Sequence, residues 1–194
     1  MPRLKAAQRR QQLIDVATKL FARSGYEATT TAAIAAAAGV TEPILYRHFK
    51  SKQDLFVAIV RDVSRRTLEQ WRKLIEGEDD PAEKIRIIAA ALPDHMKRWA
   101  EYYHVLHGAL AISRDKKVLA VMREHYEQIE DFFEKIVIDG QKSGAFAKAQ
   151  RPQAAAWQLI FAGIGYAMIA LNLNQLDRDL IREVIESIVR GIKG

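Results

Sequence analysis

The chain has no cysteine, which excludes a disulfide scaffold, a thiolate zinc site and a cysteine nucleophile. Proline and glycine are scarce, five and ten among 194 residues, and they fall mostly where helices would start or stop. No segment sustains the apolar–polar alternation of a strand. The opening residues Met1-Pro2-Arg3-Leu4-Lys5 run into Gln and Arg with no apolar stretch behind them, so no signal peptide is expected. A P-loop, a dinucleotide glycine fingerprint and a Gly-x-Ser-x-Gly elbow are also missing, and catalysis has no foothold. Acidic charge is short in one region. Residues 1–73 hold 14 Lys/Arg against 6 Asp/Glu, whereas 74–194 hold 16 against 18. Such an N-terminal excess calls for a polyanionic partner, nucleic acid or an anionic membrane surface alike.

What the chain does contain is helical periodicity from end to end, so the expected fold class is all-α, with about nine helices. The first covers about 6–23, striped by Leu13, Ile14, Ala17, Leu20 and Phe21 and ended at Gly25. A second runs over about 31–38 behind the threonine run 29–31, and a third starts behind Thr41 with Pro43 in its first turn. Ser51-Lys52-Gln53-Asp54 opens a long fourth helix, about 51–76. Glu76-Gly77-Glu78-Asp79-Asp80-Pro81 is the clearest break. Beyond it the pattern predicts helices over 81–91 and 94–111, broken or kinked at Pro93, then 115–139 with Gly140 and Gly144 bracketing a loop. Two more cover 152–172 and 178–192. Ala154–Leu171 carries only Gln158 as a strongly polar residue; at 18 residues it is at the lower edge of the roughly 17–25 that a span requires. A buried helix is expected there.

Residues 30–50 are the most informative. Two short helices joined by Ala38-Gly39-Val40-Thr41 have the length and turn chemistry of a helix-turn-helix. Ile34, Val40, Leu45 and Phe49 would form a small core with Leu20 and Phe21. Leu45 and Phe49, four apart, face inward and leave Glu42, Pro43, Tyr46 and Arg47 outside, with Lys50 and Lys52 at the exit. A face of that kind reaches base edges and phosphates together; an ordinary helical hairpin in a core is the duller alternative.

The run Gly25-Tyr26-Glu27-Ala28-Thr29-Thr30-Thr31, then Ile34-Ala35, Ala38-Gly39-Val40-Thr41, Leu45-Tyr46-Arg47-His48-Phe49 and Lys50-Ser51-Lys52-Gln53-Asp54-Leu55 resembles the N-terminal signature of the tetracycline-repressor family, over roughly residues 10–60. The resemblance implies a cytoplasmic homodimeric transcription regulator, usually a repressor that leaves a palindromic operator when a small effector binds. It implies a helix-turn-helix DNA-binding domain at 1–50 and a ligand-binding and dimerisation domain at 51–194, joined by the fourth helix. Carried over, Thr30 and Thr31 would contact phosphate or a base. Thr41, Tyr46, His48 and Lys52 would hold the DNA backbone; Glu42, Pro43, Ile44 and Arg47 would face the major groove. Glu42 can accept from a cytosine amino group, Ile44 can touch a thymine methyl and Arg47 can pair with guanine. Ala32 and Ala33 depart from the polar residues common there, which leaves base reading by the second helix in doubt. His48 as a solvated residue, Tyr46 as packing on the fourth helix, and Arg3, Lys5, Arg9 and Arg10 as a plain polar face remain open alternatives.

In the remaining two-thirds the 152–172 helix is apolar nearly all round and needs cover on both sides. Leu159, Ala162, Gly163 and Tyr166, with Ile181, Ile185, Ile188 and Ile192, are the candidate faces of a four-helix dimer interface. Met96, Trp99, Tyr103, His104, His107, Met122, Tyr126, Trp157, Phe161 and Tyr166 are candidates to line a pocket for an apolar or aromatic effector. Glu101-x-x-His104, with His107 one turn on, has the spacing of half a di-metal site, but no second copy exists. No enzyme activity, cofactor or bound metal is expected. A ligand-independent architectural or partner-binding helical protein is the competing class.

Overall fold

The computed structural model describes residues 5–112, 115–173 and 178–194. Nine α-helices and no strand lie among these described residues: α1 Ala6–Ser24, α2 Thr31–Ala37, α3 Glu42–His48, α4 Lys52–Leu74, α5 Pro81–Arg98, α6 Ala100–Ile112, α7 Lys116–Ser143, α8 Pro152–Leu173 and α9 Arg178–Lys193. They form two compact units.

The first unit takes the segments up to Val63 and Glu101–His125. Its centre is the fully buried set Leu13, Ile14, Ile34, Leu45, Leu55, Phe56 and Ile59. α1 packs on α2 and α2 on α3. The turn between α2 and α3 closes by a bond from the Val40 N–H to the Ala35 carbonyl (2.9 Å), and Gly39 supplies its positive φ of 67°. Polar contacts fasten the later segments to this unit. The Tyr102 hydroxyl donates to Asp15 (3.3 Å), Gln11 bonds Asp62 (3.2 Å), Gln53 bonds Asp115, and Arg61 pairs with Glu124 (2.9 Å).

The second unit takes Ser64–Ala100 and Tyr126–Gly194. Here α5 packs on α9 and α8, and α8 on α9. Arg86 joins α5 to α9 through Glu186 (2.7 Å), and Arg178 pairs with Asp94. Two sequence expectations are corrected. Pro93 does not break the helix, because α5 runs through it to Arg98. Leu92, Pro93 and Met96 are all buried, and that packing offsets the one backbone bond a proline forfeits. The break falls at Trp99, where φ −113° and ψ 20° leave the helical region. Gly140 likewise lies inside α7 and not in a loop. A Cβ there would sit 2.2 Å from the Phe146 ring, so glycine serves as the floor on which the returning chain packs; the Phe146 N–H donates to the Gly140 carbonyl (3.0 Å).

α8 buries one side within its own unit and leaves apolar side chains exposed elsewhere along it. α8 is long and apolar enough to cross a membrane by length and composition, and one third of its most apolar stretch is buried. Ala155, Ala156, Leu159, Ile160, Tyr166 and Ala167 face inward. Phe161 is 64% exposed, and Met168, Ile169 and Leu173 are exposed beside it in sequence.

Candidate nucleic-acid interface

α3 is a two-turn helix, and its amphipathicity decides what it presents. Leu45 and, just past its end, Phe49 are buried, while Pro43, Tyr46, Arg47 and Lys50 are exposed. Ile44 and His48 are half-buried at the margin. Arg47, His48 and Lys50 have no ion-pair partner among the described residues, so their donors remain open to solvent. Behind α3, Arg10 of α1 stacks over the Phe49 ring at 4.9 Å, and the Arg9 guanidinium donates to Gln12 (2.5 Å). Lys5 is exposed; Arg3 lies outside the described residues.

The two threonines at the start of α2 differ. Thr30 is the N-cap, its hydroxyl oxygen accepting the Ala33 N–H (3.1 Å), which leaves its own O–H free. Thr31 donates to Glu42 Oε1 (2.7 Å) and lies 3.1 Å from the Tyr46 hydroxyl. A threonine hydroxyl carries one proton. Since the carboxylate takes it, Tyr46 must be the donor to Thr31. Neither Thr31 nor Tyr46 then keeps a proton for a phosphate oxygen, which can only accept. Thr41 is the N-cap of α3 and makes no side-chain cap bond, so its hydroxyl is available.

Lys52 is a correction. Its Nζ donates to the carbonyls of Tyr26 (2.9 Å), Glu27 (3.3 Å) and Thr29 (3.2 Å) and sits 4.4 Å above the Tyr26 ring. All three ammonium protons are engaged, so Lys52 holds the 26–29 turn and is not placed to hold DNA. Tyr26, overlooked as a functional residue, is the platform. Its ring packs against Phe21 and Phe56, each with centroids 5.3 Å away. Burial first, then Asp115 and Glu27, push its phenol up to about 12, so it stays neutral. Its only sequence signal was the Gly25–Thr31 run. Two cations of α4 are occupied elsewhere: Arg61 by Glu124 and Arg65 by Glu69 (2.9 Å each).

The ten expected pocket residues divide between the two compact units. Tyr103, His104, His107 and Met122 belong to the first unit; Met96, Trp99, Tyr126, Trp157, Phe161 and Tyr166 belong to the second. Met96, Met122 and Tyr166 are buried, Phe161 and His104 exposed. Tyr126, Trp157 and Phe161 form a ladder with centroid spacings of 6.5 and 5.2 Å. A cleft of about 620 Å³ in the second unit is lined by Leu68, Ile75, Phe132 and Ile136 with charged Arg65, Arg72, Lys84 and Asp131, and by none of the ten. The interface expectation shifts similarly. Leu159, Tyr166, Ile181, Ile185 and Ile192 are buried within the chain, because the apolar stripe of α9 packs on α5 and α8. Ala162, Gly163 and Ile188 are half-buried, and the large apolar side chains that α8 and α9 expose are Phe161, Met168, Ile169, Leu173, Leu180 and Val184. Among the described residues no three His, Asp or Glu side chains converge as a metal site.

An all-helical fold with a helix-turn-helix whose second helix turns a cationic face outward defines a class, the helix-turn-helix DNA-binding proteins. Within it, residues 13–59 match the family described as bacterial regulatory proteins, tetR family. It is 30% identical over 104 residues to the HTH-type transcriptional activator FasR of Mycolicibacterium smegmatis, covering 54% of this chain and 48% of FasR. It is 25% identical over 127 residues to the nucleoid occlusion factor SlmA of Vibrio vulnificus, 65% of each chain. The chain thus spans about half to two thirds of the length of these curated relatives. The fold is similar to that of the transcriptional regulator FadR from Bacillus subtilis, solved in complex with stearoyl-CoA. That likeness has a TM-score of 0.79 at 20% identity and covers 94% of this chain and 98% of that one.

Proposed function

We propose that the protein is a cytoplasmic transcription regulator that binds a palindromic operator as a homodimer and is released by a small, largely apolar or aromatic effector. The observation that carries the reading is the outward face of α3, with Pro43, Arg47 and Lys50 exposed around a buried Leu45. Arg47 is assigned to guanine and Ile44 to a thymine methyl; Thr30, Thr41, His48 and Lys50 hold phosphates. A second copy supplies the other recognition helix, about 34–36 Å away for successive major grooves, and covers the exposed apolar side chains of α8 and α9. The proposed division of labour is 1–50 for DNA and 51–194 for effector and partner. α4 carries residues of both compact units on one helix, which makes it the lever of release. A coupling of about 1–3 kcal/mol shifts operator affinity roughly 5–150-fold. The effector class is supported by FadR, whose structure holds stearoyl-CoA.

The test is selection of randomised duplex DNA by the full chain, followed by binding titrations. One palindrome bound at least about 10³-fold above random DNA is expected; equal affinity for both overturns the reading. A second reading, a DNA-bound protein whose output is not transcriptional and needs no effector, is favoured by the likeness to the nucleoid occlusion factor SlmA. It predicts the same operator preference but no change across a panel of acyl-CoA esters.

A further inference from the structure

We infer that Thr31 is a positioning residue for base recognition: with Tyr46 it holds the Glu42 carboxylate so that the operator must carry a cytosine beneath the start of α3. The inference rests on the DNA-binding reading above and names what that site selects. Three observations carry it. The proton chain runs one way, from the Tyr46 hydroxyl to Thr31 Oγ1 (3.1 Å) and from Thr31 to Glu42 Oε1 (2.7 Å), because a carboxylate only accepts. It ties the first residue of α2 to two successive turns of α3, so Glu42 is held by a different helix from its own. The other carboxylate oxygen, Oε2, has no partner among the described residues, and no cation pairs with Glu42 there.

A fixed carboxylate oxygen with only lone pairs to offer is selective in the major groove. Cytosine presents the N4 amino donor. Guanine and thymine present acceptors, and adenine places its N7 acceptor beside its amino group. Glu42 therefore favours cytosine, is opposed by the acceptors of guanine and thymine, and gains less from adenine, whose N7 lone pair lies beside its amino donor. A mobile Glu42 could turn away to solvent and lose the discrimination. The Thr31 bond prevents this, which is why Thr31 and Tyr46 act on sequence choice without touching DNA.

The experiment is selection of randomised duplex DNA by the full chain and by Glu42→Gln, Thr31→Val, Thr31→Ser and Arg47→Ala, with circular dichroism melts to establish folding. The wild-type chain should prefer cytosine at one base pair of each half-site by roughly tenfold, equivalent to about 1.4 kcal/mol. Glu42→Gln should move that base pair toward adenine, which an amide pairs with through N6 and N7. Thr31→Val should reduce the preference to about threefold or less at that base pair alone, whereas Thr31→Ser should keep it. Arg47→Ala should relax a different base pair. A wild-type motif without the cytosine, an unchanged motif for Glu42→Gln, or full cytosine preference in Thr31→Val each overturns the inference while leaving DNA binding intact. No sequence preference in the wild-type chain takes the functional reading down with it.

Discussion

At the scale of single residues, what matters is which donors are free. Lys50 and Lys52 stand two apart with the same charge, yet they have opposite expected phenotypes. Lys50→Ala should weaken binding to all DNA and lower the slope of log affinity against log salt by about one per subunit. Lys52→Ala should leave that slope unchanged and destabilise the fold instead. Three charge-assisted bonds to backbone carbonyls are lost, and about 1–3 kcal/mol is expected, or a melting temperature lower by several degrees. Denaturant titration and salt-dependent anisotropy separate the two. Position in the helix-turn-helix made Lys52 read as a phosphate ligand; the three carbonyls that claim it lie 23–26 residues earlier, where no spacing rule reaches. Leu45, Phe49 and Arg47, by contrast, were legible, since a four-residue interval on a short helix leaves few choices of face.

At the scale of elements, helix count and most boundaries followed from periodicity and caps, and the misses came from glycine and proline. Both residues punctuate a chain only when tertiary contacts do not overrule them. Gly140 shows this most sharply, since the Phe146 ring occupies the place of its side chain. Gly140→Ala should therefore cost about 1–3 kcal/mol through overpacking despite alanine's better helix propensity. Gly163→Ala in α8, with nothing within 4 Å of the added methyl, should be neutral or stabilising in a monomeric chain. Chemical denaturation at protein concentrations low enough to keep the chain monomeric checks both. The α4–α5 pairing makes a further expectation about pH. His95 is buried, with Nδ1 donating to Gln70 Oε1 (3.0 Å) and Nε2 3.4 Å from the Thr67 hydroxyl, and burial, then Arg98, push its pKa down to about 4. Burial does the same to His125, with His107 nearby. Both rings are neutral when folded but take up protons near the ordinary 6.5 when unfolded. Stability is thus full above pH 6.5 and falls as pH drops toward 4, by at most about 1.4 kcal/mol per unit for each ring. His95→Gln should reduce that slope between pH 6.5 and 5 in urea titrations; an unchanged slope would rule His95 out as a contributor.

At the scale of the whole molecule, the exposed apolar side chains of α8 and α9 are the feature that the monomer leaves unsatisfied. The sequence indicated that α8 needs cover on two sides, but not which side its own unit would take, because an all-round apolar helix has no stripe to orient it. The amphipathic stripe of α9 was clear, and the structure places it inward. Phe161→Lys should therefore shift sedimentation from dimer to monomer without lowering helix content, and operator affinity should fall with it. The same change at Ile185, which is buried, should unfold the chain. Covering Phe161, Met168, Ile169 and Leu173 with a second copy removes apolar area from water, and such burial carries a negative heat-capacity change. Association of that kind weakens on cooling. If the proposed dimer binds the proposed operator, occupancy at fixed protein concentration should decline in the cold, a response to temperature built into the apolar face itself.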